Sequence, residues 1–246
     1  MPKIIYEDEQ LIVVDKPPKI LVIPAPGKNA KTLTDVLNEL LHKRGLTVNP
    51  VRKSPPNPES LRGLEDNKKE NNYSLGFKTN ITKLSNGVNA HPCHRLDYET
   101  SGLVIYAKGK KMQQAIMEQF HQQLVKKKYI AFVQGRLAKE ESELKSQIEG
   151  KSAITHYRIV ERRSNFTVVR VETITGRTNQ IRIQFKQIGH PLVGERRFAF
   201  ARDYVLKFRR AALHAAEISF THPVTGKLLS FHSDLPDDMK VLLNCN

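Results

Sequence analysis

The sequence is poor in cysteine: its 246 residues hold two, Cys93 and Cys245. That is too few for the disulfide framework of a small secreted domain. Metal ligands at a usual spacing are missing as well. His91-Pro92-Cys93-His94 groups ligand-type residues, but the spacing fits no zinc site and no second ligand pair accompanies it. Neither a phosphate-cradling P-loop nor a dinucleotide-binding glycine pattern occurs. No apolar run approaches the roughly 20 residues that cross a bilayer. The first residues, Met1 to Glu9, lack the apolar core of a signal peptide and turn acidic early. The expectation is therefore a soluble cytoplasmic protein that needs no metal and no cofactor.

Acidic residues are also in deficit. Lys and Arg number 40 against 25 Asp and Glu, a formal net charge of +15. An imbalance of this size implies an anionic partner, and nucleic acid is the commonest. Basic clusters at Lys126-Lys127-Lys128, Arg162-Arg163, Arg196-Arg197 and Arg209-Arg210 are candidates to hold phosphates. The length suits one large domain, with a core that needs no disulfides.

Ile4-Ile5-Tyr6 and Leu11-Ile12-Val13-Val14 read as two short strands, ended by Pro17-Pro18. From Thr32 to Leu41, the residues Leu33, Val36, Leu37, Leu40 and Leu41 form one helical stripe. The composition then shifts. Residues 49–89 are rich in Asn, Lys, Ser, Pro and Glu and keep no apolar period, which predicts a disordered insertion inside a single domain. Leu103 to Ala107 reads as a buried strand. Lys110 to Lys126 reads as a helix on Met112, Ile116, Phe120 and Leu124. A strand follows from Lys126 to Gly135, then a charged connector from Leu137 to Lys151. Ala153–Val160 and Phe166–Thr173 alternate as paired strands. Thr178 is placed to cap a last helix on Ile181, Phe185 and Ile188, stopped by Gly189.

Six stretches stand out against this background. His94-Arg95-Leu96-Asp97-Tyr98-Glu99-Thr100-Ser101-Gly102-Leu103 puts charged and hydroxyl residues on a loop that feeds a core strand, where functional side chains concentrate. Lys126-Lys127-Lys128-Tyr129-Ile130-Ala131-Phe132-Val133-Gln134-Gly135 forms the next strand. Thr175-Gly176-Arg177-Thr178-Asn179-Gln180-Ile181-Arg182 leads into a helix. Gly189-His190-Pro191-Leu192-Val193-Gly194 forms a turn, and Leu213-His214-Ala215 and Phe220-Thr221-His222-Pro223 lie further on. Each alone has a plain reading: an Asp in a turn, a strand tyrosine, histidines that satisfy backbone groups.

Together these stretches resemble pseudouridine synthases of the RluA type, over roughly residues 4–48 and 90–240. The first resembles the motif H-R-L-D-x-x-T-S-G-L, the second K-x-Y-x-A-x-V-x-G, the third T-G-R-T-H-Q-I-R, and the turn G-H-P-I-x-G. The chain departs at Asn179 and Gln184, where histidines are usual, and from Glu195 to Phe200. The resemblance implies an α+β fold with a mixed, largely antiparallel central sheet flanked by helices. It leaves no room for an S4-like module ahead of the domain. It implies an RNA uridine isomerase acting on structured ribosomal or transfer RNA, as a monomer. Asp97 is the implied nucleophile, Arg182 its ion-pair partner, and Tyr129 the residue that packs on the base. Arg95 and Arg177 are the implied substrate-binding residues.

Such chemistry breaks a glycosidic bond, turns the uracil and forms a bond to C5, so it requires neither metal nor redox cofactor. Two other readings fit the charge: a non-catalytic RNA-binding or ribosome-assembly protein on the same fold, and a hydrolase that releases uracil.

Overall fold

The computed structural model describes residues 2–27, 30–45, 89–199, 206 and 208–244. The predicted insertion at 49–89 therefore falls, apart from Asn89, outside the described residues. Lys3–Glu7 (β1) and Leu11–Lys16 (β2) pair antiparallel. The Asp8 side chain builds their turn, its Oδ1 accepting the N–H groups of Gln10 at 2.8 Å and Leu11 at 2.7 Å. Helix α1, Leu33–Gly45, starts at a reciprocal cap. Thr32 N donates to Asp35 Oδ2 at 2.8 Å and Asp35 N donates to Thr32 Oγ1 at 3.2 Å, which satisfies end groups the helix itself cannot reach. Then come His91–Pro92 (β3), Ser101–Ala107 (β4), Lys110–His121 (α2) and Lys126–Gln134 (β5). Glu141–Ile148 (β6), Lys151–Arg162 (β7), Phe166–Thr173 (β8) and Gln180–Gln187 (α3) follow, and the chain closes with Leu213–Thr221 (β9), Leu228–His232 (β10) and Asp237–Asn244 (α4).

The strands form one sheet in the order β1-β2-β4-β9-β5-β8-β7-β6, with β3 beside β4 and β10 beside β9. Every pairing is antiparallel except β4 with β9, so the sheet is mixed and largely antiparallel, as expected. That parallel contact is short: Ser101 pairs with His214 and Gly102 with Ala215. Gly102 has φ +113°, and a Cβ there would overlap the Ala215 backbone. Only glycine lets the two halves of the sheet join at this point.

Period-2 alternation divides the core. On β2 and β4, Leu11, Val13, Leu103 and Ile105 enter one apolar cluster while Ile12, Val14, Val104 and Tyr106 enter another. Both faces of these strands are covered, which is why they read as unbroken apolar runs. Tyr129 packs against two clusters, one from each half of the sheet. No helix among the described residues is long and apolar enough to cross a membrane.

Three sequence readings change. Helix α2 ends at His121; Gln123 takes φ +59° and Leu124 is 58% exposed, so the apolar stripe stops at Phe120. The charged connector contains edge strand β6, joined to β7 through Glu149 and Gly150, both at positive φ. Its outward Glu141, Glu143 and Lys145 hid the alternation, and such charges guard an edge against further pairing. Helix α3 is entered by Asn179, not capped by Thr178. Asn179 sits at φ +55°, a left-handed conformation Asn tolerates, and Ile188 is 41% exposed and lies off the stripe.

Candidate active site

Asp97 stands one turn before β4, its carbonyl accepting the Thr100 N–H at 3.2 Å. The loop is pinned from below by Lys16, which has no solvent exposure. Lys16 Nζ donates to the carbonyls of Ile20 at 2.9 Å, Pro17 at 3.1 Å and Tyr98 at 3.4 Å. Burial lowers the Lys16 pKa to about 7, the nearby Arg210 adds to this, and the Asp97 charge opposes it. His94 is held neutral, its pKa pushed down to about 3 by burial first and by Lys127 second. Its Nε2 accepts the Ile105 N–H at 3.0 Å, so it braces the loop and does not act as an acid. Cys93 is buried and its thiol is pushed up to about 12, which fits a small core filler.

The cleft beside Asp97 is lined by Arg95, Lys127, Tyr129, Arg177 and Arg182 among others, and it encloses about 200 Å³. This is below the roughly 300 Å³ of an ordinary small-molecule pocket. It suits one flat ring and excludes a helical stretch of nucleic acid. All five sequence-derived site residues therefore meet at one place. Arg95 is exposed at its edge. Arg177 is tied down by its Nε, which donates to Ser152 O at 3.0 Å. Tyr129 rises from β5 into the seam between the half-sheets. Burial first, and the Asp97 charge second, raise its pKa well above the ordinary phenol range, with Thr173 pulling the other way. Tyr129 thus rests as a neutral phenol.

The expected pairing of Arg182 with Asp97 is present but is the loosest of the arginine's contacts. Arg182 Nη1 lies 3.6 Å from Asp97 Oδ2. Its two-pronged grip goes to Glu195 instead, from Nε at 2.6 Å and from Nη2 at 2.8 Å. Glu195 is fully buried. Burial alone would raise its pKa, but Arg182 and the N–H groups of Arg197 and Phe198 outweigh this and hold it below the usual carboxylate range. Asn179 accepts from Arg182 Nη1 at 3.0 Å, so the residue standing for a usual histidine steadies the arginine. Gln184 lies elsewhere. Its Nε2 bonds to the carbonyls of Leu144 at 3.1 Å and Ala153 at 3.0 Å and braces α3 against β6 and β7.

Two basic residues take other roles than the sequence suggested. Lys127, not Lys128, shares the cleft with Tyr129, because alternation along β5 turns Lys128 to Glu217 at 3.3 Å. Arg210 is 1% exposed and cannot hold a phosphate. It grips Asp238 at 2.6 and 2.9 Å and donates to the carbonyls of Glu99, Ala211 and Leu213. Glu195 as the arginine's partner was missed; the available sign was an acid closing the apolar turn Pro191-Leu192-Val193-Gly194. The histidines of the later stretches do satisfy local groups. His214 bridges Ser101 and Ser233, and His222 Nδ1 accepts from Val224 and Thr225. Among the described residues no group of three or more His, Cys, Asp or Glu could hold a metal ion.

A family model for RNA pseudouridylate synthase matches residues 10–187. The chain belongs to this family. With it the chain joins the isomerases that act on RNA. It is 31% identical over 254 residues to the uncharacterized RNA pseudouridine synthase YlyB of Bacillus subtilis, covering 98% of this chain and 71% of that one. It is 32% identical over 260 residues to the ribosomal large subunit pseudouridine synthase D of Nitrosomonas europaea, where it covers 98% of itself and spans 64% of the relative's length. The fold is that of human RNA pseudouridylate synthase domain containing 4, with TM-score 0.68 at 20% identity over 98% of this chain and 92% of that one. The pseudouridylate synthase match takes in Asp97, Tyr129 and Arg182 and ends before Glu195.

Proposed function

We propose that this chain isomerises uridine to pseudouridine in ribosomal RNA, with Asp97 as the nucleophile. The observation that carries this reading is the convergence of Asp97, Tyr129 and Arg182 on one cleft with room for a single base. Such a cleft requires the target base to leave its stack, and extraction is the general solution for enzymes that act on a base within structured nucleic acid. Arg95 at the cleft edge would fill the vacated place or meet a phosphate, and Lys127 and Arg177 would hold the backbone beside it. The choice of ribosomal RNA rests on the names of relatives such as the Nitrosomonas enzyme.

In this mechanism the Asp97 carboxylate attacks C1′ of the target uridine. The C1′–N1 bond breaks and its electron pair leaves with the uracil. The uracil turns against Tyr129, and C5 then bonds to C1′ and displaces the carboxylate. C5 loses its proton, N1 gains one, and no atom is lost overall. Arg182 places its positive charge 3.6 Å from Asp97 Oδ2 and does not cover both oxygens of the attacking carboxylate. Neutral Tyr129 gives the uracil a flat surface. Once Asp97 is bound covalently its charge is gone, which removes one cause of the raised Tyr129 pKa and favours help with the C5 proton. Incubation with ribosomal RNA and analysis of the products tests the proposal. Pseudouridine supports it; free uracil would mean hydrolysis, and unchanged RNA that still binds would mean a non-catalytic binder.

A further inference from the structure

We infer that Glu195 is the positioning residue of this site: by holding the Nε–Nη2 edge of Arg182 it leaves a single guanidinium nitrogen, Nη1, to face Asp97. The inference rests on the reading of Asp97 as nucleophile and Arg182 as its partner. All five N–H groups of Arg182 have a direction. Nε meets Glu195 Oε2 at 2.6 Å; Nη2 meets Glu195 Oε1 at 2.8 Å and Glu99 Oε2 at 3.4 Å; Nη1 meets Asn179 Oδ1 at 3.0 Å and points on to Asp97 Oδ2 at 3.6 Å. The reacting carboxylate thus receives the longest contact, and a structural one receives the two-pronged grip.

The physical reason is a competition. Were Arg182 free, its fork would pair with Asp97 through two strong parallel hydrogen bonds. Those bonds would occupy the oxygens that must attack carbon. Glu195 prevents this because it cannot follow the arginine: it is fully buried, and its Oε1 also accepts the N–H groups of Arg197 at 2.8 Å and Phe198 at 3.2 Å. Asp97 then feels the positive charge at a distance and keeps its lone pairs. The other charged or titratable groups about it are Lys16 from β2, Lys127 and Tyr129 from β5, Arg95 and Glu99 on its own loop, and Arg177 before α3.

The test compares Glu195→Gln, Glu195→Asp, Arg182→Met, the double variant carrying both Glu195→Gln and Arg182→Met, and Asp97→Asn. Each is measured for RNA affinity and for the single-turnover rate at saturating RNA across pH, at a temperature where melting curves show the protein folded. Glu195→Gln is expected to slow the saturated rate by about 10- to 100-fold, since small misplacements of a catalytic group cost this much. Its affinity for RNA stays as in wild type. The acid limb of its rate moves to lower pH, because the released arginine pairs closely with Asp97. In the Arg182→Met background the same change leaves the rate unaltered. Glu195→Asp keeps the charge but draws the arginine back, so it gives a smaller loss and no shift of the acid limb.

A wild-type rate and pH profile in Glu195→Gln overturns the inference, as do equal losses with and without Arg182. Should Glu195→Gln fail to fold, an unaltered rate in Glu195→Asp overturns it just as well. Asp97→Asn separates the two levels. If it still turns over, the reading of the nucleophile fails; if it is inactive while Glu195→Gln matches wild type, only the role of Glu195 falls.

Discussion

Arg182 holds Glu195 by two parallel hydrogen bonds, 2.6 Å from Nε and 2.8 Å from Nη2, with the arginine side chain 7% exposed and the glutamate not at all. The pair joins the start of α3 to the turn after Leu192. It is therefore part of the core as well as of the cleft, and the two roles separate experimentally.

Arg182→Met should destabilise the fold by about 3–5 kcal/mol, the usual result of removing one partner of a buried ion pair. The cost comes from Glu195, left charged and dry. Combining it with Glu195→Gln should recover part of the loss. Urea unfolding of the single and double variants checks this; a double variant less stable than Arg182→Met alone would mean that Glu195 contributes independently of the arginine.

Asp97→Asn should abolish pseudouridine formation while fold and RNA affinity survive, because the exchange keeps size and removes the attacking charge. Residual turnover above about a hundredth of wild type would remove Asp97 from the nucleophile's role.

Lys127→Met should weaken RNA binding and lessen its salt dependence by about one phosphate contact, a change of about 0.7–0.9 in the log–log slope. The saturated single-turnover rate should stay nearly intact, since Lys127 lines the cleft with its ammonium over the Phe120 ring, 5.6 Å from the centroid. Binding curves over a range of salt decide between this and a role in the chemical step, which would lower the rate and leave the slope alone.

Arg210→Met should act on stability and not on RNA binding. Arg210 is buried, and its loss would strand the carbonyls of Glu99, Ala211 and Leu213. A drop of about 3 kcal/mol is expected from a broken buried network. An unaltered melting temperature with weaker RNA binding would restore this residue to the phosphate-binding surface.

Asp8→Asn should destabilise the protein at neutral pH by up to about 2 kcal/mol, with the difference fading in acid. Despite desolvation, hydrogen bonds from His222, Tyr6, Gln10 and Leu11 lower the Asp8 pKa from 3.8 to about 2. A depressed carboxylate stabilises the fold fully above its unfolded pKa and loses that contribution as pH falls from about 4 to about 2. Thermal melts of both proteins across that range should converge; a gap that persists at pH 2 would mean that Asp8 stabilises by shape alone.

The sequence by itself determined what depends on near neighbours. Unbroken apolar runs wrote β2 and β4 into the chain, alternation wrote β7 and β8, and a four-residue stripe wrote most of α2. The motif around Asp97 identified the loop, and Tyr129 and Arg182 were legible from their own stretches. Tertiary structure decided how charge is distributed among them. Local patterns count a charged residue as exposed, yet Lys16, Arg210 and Glu195 are among the most deeply buried side chains. Each is tolerated because the fold brings a partner from afar: Tyr98 to Lys16, Asp238 to Arg210, Arg182 to Glu195. The same holds at the edge, where β6 has one solvated face and reads as a connector until β7 pairs with it. Burying a charge costs so much that its position is fixed only with its partner in place, and that partner is brought by the tertiary fold, not by the order of residues along the chain.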